Sequence, residues 1–186
     1  MKWTKEEMLS IPNCLSYFRI LLIPVFCVVY LRADSLKEFY LAASIILFSG
    51  LTDFLDGQIA RRCNMITEFG KFIDPLADKL THIAIAACLS YRFYYMGILL
   101  VLLLLKDGYM LLMGAVHLKH GQKLSGAKLY GKVCTASLFV VFLFLLIWPG
   151  APLHVVKILV GVEIAILLIT WILYIREFQR MRRLWV

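Results

Sequence analysis

Residues Leu51 to Leu80 read LTDFLDGQIARRCNMITEFGKFIDPLADKL, and they carry four aspartates, Asp53, Asp56, Asp74 and Asp78, in or beside two apolar runs. A charged side chain at the centre of a membrane helix costs about 2.5–3.5 kcal/mol on insertion scales, so four uncompensated carboxylates would cost about 10 kcal/mol or more. Spacing indicates what offsets this. Asp53, Asp56 and Ala60 recur at three and four residues and share one helix face, with Gly57 and Arg61 beside it. Asp74 and Asp78 are i,i+4 neighbours, and Gly70 lies one turn earlier on the same stripe. The segment from Arg61 to Phe69 is polar enough to be a turn. The two helices are then antiparallel neighbours whose acidic ends meet near one membrane face. Converging carboxylates repel, and a divalent cation reverses that repulsion. An all-oxygen donor set without His or Cys suits Mg²⁺ or Mn²⁺ rather than zinc. A structural polar cluster or an ion pathway is the alternative reading. A pathway spreads ionisable groups over depth, whereas these four gather at one face.

Outward from this stretch the chain is apolar. Of its 186 residues, 62% are hydrophobic and 17% charged, with a mean hydropathy of +0.83. A bilayer-spanning helix takes about 20 mostly apolar residues. Six runs qualify, over 14–33, 37–60, 70–91, 93–117, 127–148 and 153–175. Stretches such as Ile98 to Leu105 and Leu138 to Ile147 are apolar on all sides, which suits lipid or a bundle interior. A soluble all-α protein would lack the polar residues to cover such a core. The expectation is an all-α, polytopic membrane protein of six transmembrane helices around a polar cavity open to the cytoplasm. It forms a single domain over 1–186, with a short cytoplasmic segment at 1–12 and a basic cytoplasmic tail at 176–186. The first run holds Arg19 and Pro24 and lacks a small-x-small cleavage site, so it is expected to stay in the mature protein.

Basic residues set the orientation. With the N-terminus inside, the inner segments hold Lys2, Lys5, Arg61, Arg62, Lys71, Lys119, Lys123, Lys128, Lys132, Arg176, Arg180, Arg182 and Arg183, and the outer ones only Arg32, Lys37, Arg92 and Lys157. Both termini are therefore expected in the cytoplasm. The net charge of +8 is a membrane signal and not a nucleic-acid one, because the aromatics lie in apolar runs or at span ends and not on a basic face. The tail from Arg176 reads as an anchor on anionic headgroups or as a topology determinant. The five cysteines, Cys14, Cys27, Cys63, Cys88 and Cys134, form no CxxC pair and behave as small hydrophobes.

Gly57 and Gly70 remove side chains on the carboxylate side of each helix, either for a ligand's approach or for tight helix packing. Arg61 is an ion-pair partner or a clamp on a phosphate. The full pattern Asp-x2-Asp-Gly-x2-Ala-Arg-x8-Gly-x3-Asp-x3-Asp resembles the signature of the CDP-alcohol phosphatidyltransferases, with every fixed position filled by Asp53, Asp56, Gly57, Ala60, Arg61, Gly70, Asp74 and Asp78. The upstream Pro12-Asn13-x-Leu15-Ser16-x2-Arg19 is similar to that family's entry segment. The resemblance implies a six-helix membrane fold, commonly homodimeric, with two divalent ions, Mg²⁺ or Mn²⁺, held by Asp53, Asp56, Asp74 and Asp78. It implies Asp78 as the base, and a CDP-lipid pocket shaped by Gly57, Ala60, Arg61, Gly70 and Asn13.

The implied reaction moves a phosphatidyl group from CDP-diacylglycerol to an alcohol at the cytoplasmic face of a bacterial plasma membrane, releasing CMP. Ile11-Pro12-Asn13, Arg19 to Pro24 and Asp74 to Lys79 are most similar to the bacterial phosphatidylglycerophosphate synthase branch, whose acceptor is glycerol 3-phosphate. The cardiolipin synthase branch, whose acceptor is phosphatidylglycerol, has similar motifs. Lys106, Lys128 and Lys132 are candidates for the acceptor's phosphate. Lys106 beside Asp107 also reads as an ion pair, and Lys128 and Lys132 as topology determinants. Many members of the glycerol 3-phosphate branch carry Arg-Glu where this chain has Lys106-Asp107. A small ion transporter, the rival from another class, would need inverted repeats or broken helices, and no repeat is visible. If the topology holds, reporters fused to the two termini both report the cytoplasm; opposite sides would contradict an even number of spans.

Overall fold

The computed structural model describes residues 10–62, 67, 69–119 and 128–182, and these form six helices and no strand. They are α1 (Ile11–Leu31), α2 (Leu36–Arg62), α3 (Gly70–Arg92), α4 (Tyr95–Lys119), α5 (Leu129–Ile147) and α6 (Leu153–Arg182). Four contain windows long and apolar enough to cross a membrane, at Pro12–Leu31, Met96–His117, Leu129–Ile147 and Leu153–Arg182. The other two, α2 with 27 residues and α3 with 23, carry the aspartates and basic residues of the acidic motif within the same length.

Helix ends are set by local chemistry. Proline in the first turn starts α1, where its missing N–H leaves no bond unmade. At the start of α2 the Glu38 carboxylate reaches back and accepts from the backbone N–H groups of Asp34 (2.8 Å) and Ser35 (2.9 Å), the glutamate half of a capping box. Thr67 caps α3, its Oγ1 accepting from the Gly70 N–H at 2.9 Å. Pro24 and Pro75 lie inside α1 and α3, as membrane helices tolerate.

The chain divides into two compact units, Met1–Cys88 with Leu146–Pro149, and Leu89–Leu145 with Gly150–Val186. In the first, α1 packs along α2. Phe26, Tyr30, Phe39, Ala42 and Ile46 are buried between them, and the Tyr30 ring meets Phe39 edge-on at 5.6 Å. Large apolar residues on the opposite faces, such as Leu21, Val28, Leu47 and Leu51, are exposed, as lipid-facing side chains are.

In the second unit α4 packs along α6. Tyr109 contacts Trp171 and Phe178, and the buried His117 ring lies against Phe178. The helix α6 runs past the end of its apolar run. Tyr174 and Phe178 are buried on one face, so Arg176, Arg180 and Arg182 stand on a packed helix. Gly131 of α5 provides the space that Tyr174 fills: a Cβ there would overlap the Tyr174 hydroxyl. Tyr130 stacks edge-on against the same ring at 4.8 Å.

This unit also buries Glu163, about 15 Å along α6 at 1.5 Å per residue. It is 1% exposed; its Oε1 lies 3.1 Å from Ser137 Oγ, whose hydroxyl also reaches Cys134 O at 3.0 Å, and among the described residues its Oε2 has no hydrogen-bond partner. Ser137→Ala removes that one bond. A buried acceptor left unmatched costs about 1–3 kcal/mol, so the variant is expected to unfold at lower temperature in detergent. An unchanged Tm would show the bond to be dispensable.

Candidate active site

Three helices of the first unit supply the site. α1 presents Asn13, Ser16 and Arg19 at i, i+3 and i+6, a repeat that keeps all three near one face. All three are buried, Arg19 being 2% exposed. Opposite them, α2 presents Asp53, and α3 presents Asp74 and Asp78.

The contacts are specific. Arg19 Nη1 forms an ion pair with Asp53 Oδ1 and another with Asp78 Oδ1, the latter at 2.5 Å. One guanidinium nitrogen thus joins carboxylates from two other helices by charge-assisted bonds. Ser16 Oγ donates to Asp74 Oδ1 at 2.5 Å and also contacts its own helix at Pro12 O, at 3.2 Å. One turn earlier, Asn13 Nδ2 donates to Thr67 Oγ1 at 3.1 Å, tying the start of α1 to the cap of α3. Gly70 sits where these meet; a Cβ there would lie 2.7 Å from Asn13 Oδ1 and 3.0 Å from Thr67 Oγ1.

The structure therefore brings together Asp53, Asp74, Asp78, Gly70 and Asn13. Asp56, Gly57, Ala60 and Arg61 belong to the helical backbone of α2, and their side chains lie outside the described residues. Two residues to which sequence reasoning gave no role in the site, Ser16 and Arg19, touch its carboxylates directly. The signal was present in Arg19, a full charge inside an apolar run, which requires a partner; helical spacing from Asn13 would have led to Ser16.

The three candidate lysines lie in the second unit. Lys106 Nζ pairs with Asp107 Oδ1 at 3.1 Å, both side chains nearly buried. Lys128 Nζ, just ahead of α5, pairs with Glu177 Oε1 of α6 at 2.9 Å. Lys132 is exposed.

The donor set of the acidic cluster consists of carboxylate oxygens and a serine hydroxyl, which fits a hard divalent cation. The Asp53 and Asp78 side chains remain 44% and 41% exposed, so each has room for a further ligand beside Arg19. Among the described residues, no group of three or more His, Cys, Asp or Glu stands close enough to hold a metal ion, and the guanidinium is the cation that links Asp53 to Asp78. Such an arrangement attracts cations, and its carboxylates can accept a proton from a hydroxyl.

Comparison with known proteins gives the family. The family model described as CDP-alcohol phosphatidyltransferase matches residues 9–176. A protein of Aquifex aeolicus named CDP-diacylglycerol–glycerol-3-phosphate 3-phosphatidyltransferase is 32% identical over 173 residues, covering 89% of this chain and 94% of that protein. One of Streptomyces coelicolor named cardiolipin synthase (CMP-forming) is 31% identical over 148 residues, covering 78% of this chain and 69% of that protein. A protein of Wigglesworthia glossinidia brevipalpis with the same name as the Aquifex one is 44% identical over 72 residues, a match that spans only 39% of each chain.

The close approach at Gly70 gives a test. Gly70→Ala forces Asn13 or Thr67 to move, and overpacking of this kind costs about 1–3 kcal/mol. Its Tm in detergent is expected to fall. Adding Asn13→Ala removes the nearest obstructing atom, so the double variant should lose less than the two single losses combined. Strict additivity would show that Asn13 and Gly70 do not press on one another.

Proposed function

Because the chain belongs to the CDP-alcohol phosphatidyltransferase family, we propose that it transfers a phosphatidyl group from CDP-diacylglycerol to glycerol 3-phosphate, forming phosphatidylglycerophosphate and CMP. The observation that carries this reading is the convergence of Asp53, Asp74 and Asp78 from α2 and α3 beside Arg19 and Ser16 of α1.

In this reading residues 1–186 form one catalytic domain of six spans, homodimeric, in a bacterial plasma membrane, with both termini and a polar cavity on the cytoplasmic side. Helix length supports the span count: 23 residues, the length of α3, extend about 35 Å, enough for a hydrocarbon core of about 30 Å.

Asp53, Asp56, Asp74 and Asp78 would hold two divalent ions, Mg²⁺ or Mn²⁺. When bound, such ions neutralise the diphosphate and the charge that develops on departing CMP. Asn13, Gly57, Ala60, Arg61 and Gly70 shape the CDP-lipid pocket, with Arg61 placed to clamp a phosphate. Asp78 takes the proton of the acceptor hydroxyl. The hydroxyl oxygen forms a bond to the lipid-side phosphorus, the bond from that phosphorus to the CMP oxygen breaks, and CMP leaves with the electron pair. Lys106, Lys128 and Lys132 are the cations available to the acceptor's phosphate. Lys106 supports that role best, as a nearly buried ammonium with three donors of which Asp107 engages one.

Glycerol 3-phosphate is favoured as acceptor by the near end-to-end match to the Aquifex relative. A second reading, with phosphatidylglycerol as acceptor and cardiolipin as product, is supported by the Streptomyces relative.

Purified protein supplied with radiolabelled CDP-diacylglycerol and Mg²⁺ is expected to release CMP with glycerol 3-phosphate and not with phosphatidylglycerol; the reverse would establish the second reading. Excess EDTA should abolish release. Asp78→Asn, if folded, should lose about 100-fold or more in rate, the usual contribution of a general base. Full activity in either case would remove the corresponding role.

A further inference from the structure

The acidic cluster contains a cation of its own. A single nitrogen of Arg19 meets one oxygen of Asp53 and one of Asp78. It reaches them from the buried side, being 2% exposed, while the carboxylates remain half open. Guanidinium stays charged at any accessible pH. It therefore offsets the repulsion between the two carboxylates when nothing else is bound.

We propose that Arg19 is a resident counter-cation, a positioning residue that holds Asp53 and Asp78 together before a divalent ion arrives and competes with that ion for them. This rests on the reading above that the cluster is a metal centre. Two consequences follow from charge alone. Without metal, the junction of α1, α2 and α3 stays closed, because the carboxylates already have a partner. With metal, a divalent charge must settle beside a buried monovalent one that cannot retreat into water, and like charges at short range oppose each other more strongly as the surroundings dry. Arg19 thus stabilises the metal-free site and weakens its hold on a bare ion. A chain with a neutral side chain at this position would show the opposite balance: an unstable empty cluster and a tighter metal site.

The experiment compares wild type, Arg19→Gln and Arg19→Lys as full-length proteins in detergent. Thermal unfolding is followed in EDTA and across a series of Mg²⁺ concentrations. In EDTA, Arg19→Gln is expected to unfold at lower temperature than wild type, since removing one partner leaves like charges uncompensated. Saturating Mg²⁺ should raise its Tm by about 5 °C or more beyond the rise in wild type. The Mg²⁺ concentration for half of that rise should fall by about tenfold, because tighter binding to the folded state produces its stabilisation at lower ligand concentration. Arg19→Lys, with a shorter cationic side chain, should lie between the two.

Equal Mg²⁺-dependent rises and equal half-saturating concentrations in wild type and Arg19→Gln would overturn the proposal. If Arg19→Gln cannot be recovered folded even in Mg²⁺, Arg19→Lys decides: a rise no larger than that of wild type overturns it. Wild type that releases CMP with Mg²⁺ while the variants respond identically defeats the counter-cation role alone. Wild type that neither responds to Mg²⁺ nor releases CMP defeats the metal-centre reading and this inference together.

Discussion

The Arg19 guanidinium, shared between Asp53 and Asp78, fixes three helices at one point. Each of these charges would be costly alone in an apolar helix, and removing one member of the set leaves the rest uncompensated. Arg19 thus constrains where α2 and α3 can lie relative to α1. The neighbouring contacts extend the same face: Ser16 to Asp74, and Asn13 to the Thr67 cap of α3. Apolar packing of Phe26, Tyr30 and Phe39 brings α1 and α2 together without direction; the polar contacts supply the direction. The segment ahead of the acidic motif is therefore part of the site and not merely its approach.

Polar groups in the second unit follow a different plan. Lys106 and Asp107 neutralise one another as neighbours on α4, Glu163 leans on Ser137, and Lys128 ties the start of α5 to Glu177 on α6. Among the described residues this leaves a nearly buried ammonium engaged by one carboxylate and a buried carboxylate oxygen without a hydrogen-bond partner.

Hydropathy alone gives the helices closely. The run at 14–33 became Ile11–Leu31, and that at 93–117 became Tyr95–Lys119. The differences come from interactions that hydropathy does not measure. Proline sets the start of α1, the reach of the Glu38 carboxylate back to Ser35 sets that of α2, and burial of Tyr174 and Phe178 carries α6 to Arg182, beyond the apolar run at 153–175. The acidic site was legible because carboxylates in an apolar context are so costly that their spacing must have a purpose. Gly70 was legible as a position lacking a side chain, although what occupies the space, Asn13 and Thr67, became clear only from coordinates. Arg19 was legible as an anomaly but not as a partner, since the acids it meets, Asp53 and Asp78, are 34 and 59 positions away in sequence and only tertiary packing brings them together. Lys128 shows the reverse: neither its reading as a phosphate ligand nor that as a topology determinant gave a hint of Glu177, which occupies it.

The central claim is that oxygens from α2 and α3 are gathered to hold divalent cations against a diphosphate. Anomalous diffraction from crystals grown with Mn²⁺ and CDP tests it most directly. The account predicts strong anomalous peaks at coordination distance from Asp53, Asp74 and Asp78, with the CDP phosphates on their open side. Well-diffracting crystals with CDP bound but no peak at these carboxylates, or with manganese ligated elsewhere in the chain, would contradict it.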